Sequence, residues 1–339
     1  MSLPPSEIPS GAMRFNSDSQ KLEYWDGSQW VQVHTFSPNL DGGARGLIMG
    51  GETPGPTNVN TISYINITST GNAQDFGDLT QARRGLHNSA VASFTRGIIA
   101  GGFVTVSPTL TVSNVIDYVT ISSTGDATDF GDRTTTGYYW AAVSNSTRGV
   151  WGGGYEPSYP TVVNTLEYIT IASTGNSVEF GDLTRTVRGF GSANSPTRGV
   201  FAGGNPGPQN TIDFITISTL GNAQDFGDLP TATDFTSGTC NATRGVFAGG
   251  RAPGSTNAIN YITISSTGNA VKFGDLTQAT FYSSSMSSPT RGVYAQAGPS
   301  YQNTMEYITI LTQGNAVDFG DMTETSSSGS GCSNAHGGL

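Results

Sequence analysis

The chain has 339 residues, 46 of them Gly and 16 Pro, and only 12% are Asp, Glu, Lys or Arg, about half the charge of an ordinary globular domain, which excludes long charged helices. Lys21 and Lys272 are its only lysines and the formal charge is −10, so no basic stripe exists to displace counterions from nucleic-acid phosphates. No apolar run reaches the length of about 18 residues that a membrane-spanning helix needs, and the opening MSLPPSEIPSGAMRF lacks the basic and apolar regions of a secretory signal.

In chain order, the first predicted elements are three short strands, AMRFN, KLEYW and WVQV, within residues 10–33, joined by the polar turns SDSQ and DGSQ. A segment this short cannot bury enough apolar surface to fold alone; below about 40 residues, disulfides, metals or oligomerisation usually help. Residues 1–33 are therefore expected to dock on something, whether a partner, symmetry mates or the rest of the chain. Met13, Phe15, Leu22, Tyr24, Trp25 and Trp30 are the candidate docking side chains. Residues 34–43, HTFSPNLDGG, read as a linker.

From residue 44 onward the chain repeats. An Arg-Gly followed by an apolar run opens six units, at Arg45, Arg96, Arg148, Arg198, Arg244 and Arg291. Each unit continues to an aromatic, at Tyr64, Tyr118, Tyr168, Phe214, Tyr261 and Tyr307. Twelve residues later, in all six units, comes the Phe of an FGD triplet: Phe76, Phe130, Phe180, Phe226, Phe273 and Phe319. Each unit reads as four antiparallel strands: a leading strand before the Arg-Gly, a glycine strand such as RGVFAGG, an aromatic strand such as NTIDFITIS, and an FGD strand entered through a Gly-Asn turn. Alternation sends Ile212 and Phe214 to one face of the aromatic strand and Ile215 and Ile217 to the other, so both faces of the sheet should be covered. Four short strands at periods of 46 to 54 residues describe the blade of a β-propeller.

The chain end adds a constraint. The FGD Phe precedes the next Arg-Gly by 18 residues in four of the five inner cases, and 18 residues beyond Phe319 lies Gly337 in the terminal AHGGL. The tail thus aligns with NATRGV, and a seventh glycine strand would begin there. The first unit has no leading strand ahead of Arg45, and GSGCSNAH is left over at the C-terminus. That segment is predicted to pair with LIMGG and close a ring, removing the exposed sheet edges.

A double Gly after an apolar strand and then a spaced pair of aromatics resembles the kelch motif, with Phe where kelch repeats carry Trp. The likeness spans residues 44–339 and implies an all-β, six-bladed kelch-like propeller. The N-terminal G-x-MRFN-x(5)-LE-x-W-x-GS-x-W is similar to short modules of tailed-bacteriophage virion and tail-fibre proteins. These resemblances imply a virion protein, without catalysis or cofactor, held to other virion proteins through residues 1–33. Its propeller would meet a host surface glycan or protein, in several copies per particle, without nucleic acid or membrane insertion. A propeller-type polysaccharide depolymerase and a purely structural capsid or neck decoration are the alternatives.

Strand alternation places the TRG and STGN turns at one face and the variable loops at the other, where recognition usually sits. Tyr138, Tyr139, Trp140, Tyr155, Tyr159, Phe281, Tyr282 and Tyr301 fall in or beside those loops; they either offer stacking surfaces or, for Trp140 and Tyr139, start a leading strand and pack between blades. The six repeated arginines read as structural, holding carbonyls or the FGD aspartates. With three histidines, His34, His87 and His336, a metal triad or Ser-His-Asp set is not expected. DFGD lacks the alternating oxygen ligands of a calcium loop. Cys240 and Cys332 read as buried small hydrophobes.

Overall fold

The computed structural model describes residues 8–16, 21–32, 44–55, 57–106, 109–157, 161–295, 298 and 300–339. The expected linker, 34–43, lies outside them. The chain divides into two compact units, Met1–Leu40 and Asp41–Leu339. Both are built from antiparallel strands, and no helix occurs among the described residues.

The first unit is a three-stranded sheet of Met13–Asn16, Lys21–Trp25 and Trp30–Gln32, as the sequence predicts. Met13 pairs with Tyr24 and Phe15 with Leu22, so alternation sets these four side chains on one face. All four are exposed, Phe15 at 65% and Met13 at 62%. The opposite face is packed: Trp25 meets Trp30 edge-on at 5.5 Å, and Arg14 lies 4.3 Å over Trp30 while bonding Glu23 at 2.8 Å. The six docking candidates are thereby split, with Trp25 and Trp30 serving the sheet's own packing.

Among the described residues the second unit contains five four-stranded sheets and one five-stranded sheet with one repeated order: leading, glycine, aromatic, FGD. In the five-stranded sheet, that of the second module, Arg83–Arg84 pairs with the glycine strand as well as the leading strand Ala90–Ala92, and Tyr155–Glu156 and Thr161–Val162 form a separate two-stranded sheet. In the fourth module these are Gly191–Asn194, Arg198–Ala202, Thr211–Thr216 and Gln224–Asp228. The first module draws its leading strand, Ser330–Ser333, from the other end of the chain; Cys332 pairs with Leu47 and Gly331 with Ile48. Ser330–Ser333 also lies against the leading strands Ser284–Ser287 and Ala90–Ala92.

The cores sit between sheets. Ile212 and Phe214 pack with Phe247 and Ile262 of the next module, whereas Ile215 and Ile217 pack with Leu166 and Phe180 of the preceding one. Six such clusters exist, one for each neighbouring pair, including the sixth and first modules, where Met286, Val293 and Phe319 meet Ile48, Ile65 and Ile67. An open row of six sheets would have five.

Each junction is also stapled by backbone. The STGN glycine N–H donates to the FGD Phe carbonyl of the preceding module, as Gly125 to Phe76 at 2.7 Å, and Gly71 to Phe319 at 2.8 Å across the sixth-to-first junction. The next side chain, Asn176 for example, accepts from the N–H of the FGD Asp, here Asp132, at 3.0 Å. The contact is glycine on glycine: a Cβ at Gly77, whose φ is +147°, would lie 2.5 Å from the Gly125 carbonyl, which no side chain permits. The repeated arginines stand on the aromatic of their own module and donate to a carbonyl of the next: Arg45 lies 4.7 Å over Tyr64 and bonds the Ile121 oxygen at 2.8 Å, and Arg291 lies over Tyr307 and reaches Ile67. Carbonyls, rather than the FGD aspartates, are what they hold. At three junctions a buried ion pair is added, Arg83–Asp117, Arg133–Glu167 and Arg185–Asp213.

The leading strands of all six modules line one cavity of about 50 Å³, with Ser144, Asn194, Cys240, Ser287, Cys332 and His336 in its wall. That is room for a few waters and not for an organic substrate. The tail lies across its end nearest the TRG turns, with residues 334–338 in turns and His336 in the wall. His336 Nε2 donates to the Ala92 carbonyl at 2.9 Å, and a Cβ at Gly338 would lie 1.9 Å from the Ser144 oxygen. At the other end sits His87, fully buried, with Nε2 on the Thr236 carbonyl at 3.1 Å. It comes from the one connection whose Phe-to-Arg spacing is 20 instead of 18.

Candidate functional site

In every module the connection after the FGD strand meets the loop after the glycine strand in antiparallel pairing, by an isolated bridge in five and by the two-residue ladder of Arg83–Arg84 in the remaining one. The pairs are Ser327 with Glu52, Arg84 with Phe103, Tyr138 with Tyr155, Arg188 with Asn205, Asp234 with Arg251, and Phe281 with Gly298. The first member of each lies eight residues beyond an FGD Phe, and the second seven beyond a repeated Arg. Backbone geometry at these twelve positions is sixfold; the side chains are not.

The residue after each first member makes the same point more sharply. Gly85, Tyr139, Gly189, Phe235, Tyr282 and Ser328 all have φ between 53° and 70°, a region natural to glycine and costly for bulky side chains. Their amides chain together, Tyr139 N–H to Gly85 at 2.9 Å, Gly189 to Tyr139 at 2.8 Å and Phe235 to Gly189 at 2.7 Å. Three of the six are nevertheless aromatic. Their rings converge over His87: Tyr139 stacks on Tyr282 at 5.5 Å and 11°, Tyr282 meets Phe235 at 4.4 Å, and Phe235 meets His87 at 5.9 Å. Gly189 is bare because the Phe235 ring fills its place, 2.2 Å from where a Cβ would stand.

This aromatic surface extends outward. Tyr138 joins Tyr139 at 4.9 Å, Phe103 at 3.9 Å and Tyr155 at 5.2 Å, and Phe281 joins Tyr282 at 4.8 Å. Three arginines edge it: Arg84 over Phe103, Arg188 over Tyr155 and Arg251 over both Phe235 and Phe281. Arg84 is paired with Glu52 and Arg251 with Asp234, the latter through two bonds of 2.9 Å. Burial pushes the Tyr138, Tyr139 and Tyr282 hydroxyls above their ordinary range, so all three are neutral donors at physiological pH. The bonds from Asp234 hold Arg251 the more firmly charged.

Of the eight sequence candidates, the structure brings five together: Tyr138, Tyr139, Tyr155, Phe281 and Tyr282, all half-buried. Trp140 is not surface at all. It is 0% exposed, lies under Arg133 at 3.6 Å and fills a slot where Cβ atoms at Gly101 and Gly154 would fall 1.9 Å from its ring. It begins the inward-turned leading strand, where Tyr138 and Tyr139 still belong to the connection. Tyr301 is half-buried and stands near Glu52, and Tyr159 lies outside the described residues. Phe103, Phe235, Arg84, Arg188, Arg251, Asp234 and Asn205 escaped the sequence reading. Their signal was there, positions at constant spacing from invariant residues at which residue type varies from unit to unit.

Among the described residues no three His, Cys, Asp or Glu are grouped to hold a metal; Cys240 and Cys332 are free, buried thiols. No protein-family model matches this chain, and no curated protein matches it.

Proposed function

We propose that the six sheets are the blades of a kelch-like β-propeller closed by Ser330–Ser333, and that the chain is a bacteriophage virion protein, a tail fibre or other appendage, that recognises a host surface without catalysis. Six junction cores for six sheets support the ring. Residues 1–33 are the attachment segment, 34–43 the linker and 44–339 the propeller. The bare apolar face of Met13, Phe15, Leu22 and Tyr24 supports docking on other virion proteins, since such a patch is usually covered by a partner.

The observation that carries recognition is chemical asymmetry on symmetric backbone. Bulky rings are kept at three positions of positive φ where glycine would be free of strain, and together with their neighbours they form one half-exposed aromatic surface. Phe235 is buried and packs against Gly189 and His87, whereas Tyr139 and Tyr282 stay half-exposed at positions that are Gly or Ser in three other modules. Of the acids there, Glu52 and Asp234 are each tied to an arginine, which suits a binding surface better than a pair of carboxylates flanking a glycosidic bond. Individual contacts would be weak, and several copies per particle raise avidity by about 10²–10⁴.

The test uses labelled full-length chain and cells of the bacterium that the particle infects. Tyr138→Ala with Tyr155→Ala should cut cell binding more than tenfold at unchanged circular dichroism, while Met13→Ser with Phe15→Ser should spare cell binding and abolish incorporation into particles. Cell binding indifferent to the tyrosine pair refutes the recognition surface, and normal incorporation refutes the attachment face.

A further inference from the structure

Among the arginines at the edge of the aromatic surface, Arg188 differs from the other two. Arg84 and Arg251 each have a carboxylate partner, whereas Arg188 makes no ion pair among the described residues, and its buried Nε has no hydrogen-bond acceptor. Its guanidinium lies 5.2 Å over the Tyr155 ring and beside Tyr138, and its backbone is fixed by two 2.9 Å bonds to Asn205. A half-buried guanidinium held on an aromatic face and lacking an anion is a receptor for one. The twelve bridge positions carry three arginines against two carboxylates, Glu52 and Asp234, in a chain of formal charge −10. This patch is therefore positive where the molecule as a whole repels anions.

We propose that this surface binds an acidic saccharide, the apolar face of a sugar ring lying on Tyr138 and Tyr155 and its carboxylate taken by Arg188. The proposal rests on the recognition surface described above and names what it recognises. Tyrosine rings supply flat apolar area with a hydroxyl at the rim, matching a sugar's C–H face and its equatorial hydroxyls. Asn205, whose amide already donates to Asp234 at 3.1 Å, sets a polar boundary next to Arg188. A neutral sugar would use the rings and leave Arg188 unpaired; a carboxylated one satisfies both.

The experiment is calorimetric titration of the full-length chain with oligosaccharides of galacturonate, glucuronate and N-acetylneuraminate, each beside its neutral counterpart with the carboxyl reduced to an alcohol. At least one acidic member should bind more than tenfold tighter than its reduced form, and raising salt from 50 to 500 mM should erode that margin. Arg188→Gln should abolish the acid preference while leaving the neutral sugar's affinity within twofold, and Arg188→Lys should retain part of it. Tyr155→Ala should weaken both. Equal binding of acidic and reduced sugars, or an acid preference untouched by Arg188→Gln, overturns the assignment to an acidic saccharide and leaves the recognition surface standing. Absence of binding to every sugar in the panel also overturns the saccharide, and if the Tyr138→Ala, Tyr155→Ala chain still binds cells normally, the recognition surface falls with it.

Discussion

Protonating His87 should destabilise the second unit, by an amount that follows from its surroundings. The imidazole is fully buried, Nε2 donates to the Thr236 carbonyl and Nδ1 faces no partner among the described residues. A proton added at Nδ1 would therefore be a buried charge without an acceptor, and burial lowers the group from 6.5 to about 4. Because the folded value lies below the unfolded one, the unfolded chain takes up the proton first. Stability is complete above about pH 6.5, falls as pH drops toward 4, and levels below it, a total of about 3 kcal/mol, of which about 2 kcal/mol is lost between pH 7 and pH 5. Urea unfolding of the native chain and of His87→Gln at both pH values isolates this group, because every carboxylate contributes alike to the two chains. The Gln variant should lose about 2 kcal/mol less across the interval. Parallel losses, or an imidazole resonance titrating near 6.5, would refute the reasoning. His336, also lowered to about 4 but with an edge toward solvent, should contribute less.

Other expectations follow from the junctions and the cavity. Gly131→Ala puts a Cβ 2.6 Å from the Gly175 carbonyl at a φ of +145° and should cost about 2–4 kcal/mol, read from the urea midpoint; a change below 0.5 would show that the glycine contact is not required. Arg83→Met leaves Asp117 buried without its cation, held only by the Thr80 amide and hydroxyl, and should cost about 3–5 kcal/mol, with part of it recovered in Arg83→Met with Asp117→Leu; a double variant no better than the single one would contradict this. Deleting residues 336–339 removes the closure of the cavity while sparing the Ser330–Ser333 strand. Far-ultraviolet dichroism should stay unchanged, while Cys240 and Cys332, both in the cavity wall, become reactive toward a small disulfide reagent in the native state. Thiols as inert as in the full chain would mean that the tail does not seal them.

The division between sequence and tertiary structure falls along the repeat. Period, strand order, the two-sided aromatic strand and the pairing of GSGCS with LIMGG were legible because they are local or are forced by what a sheet must bury. Ile212 and Ile215, one residue class apart in alternation, go to opposite cores as their parity demands. The three N-terminal strands were legible too, but not that Met13, Phe15, Leu22 and Tyr24 would share one bare face while Trp25 and Trp30 took the other, which depends on strand register.

The candidate site was legible only in part. Tyr138, Tyr139 and Trp140 are adjacent in the chain and equally aromatic, yet two stand at the surface and the third is wholly buried, since a single residue separates the connection from the strand that turns inward. Arg84, Arg188 and Arg251 look alike in sequence, and only folding gives two of them an acid and leaves one without. The chain by itself determined six equivalent frames, because hydrogen bonding and apolar periodicity act over a few residues. Which side chains meet at the common end was decided by residues from different modules brought together by the packing of sheet on sheet, a distance along the chain that local pattern does not encode.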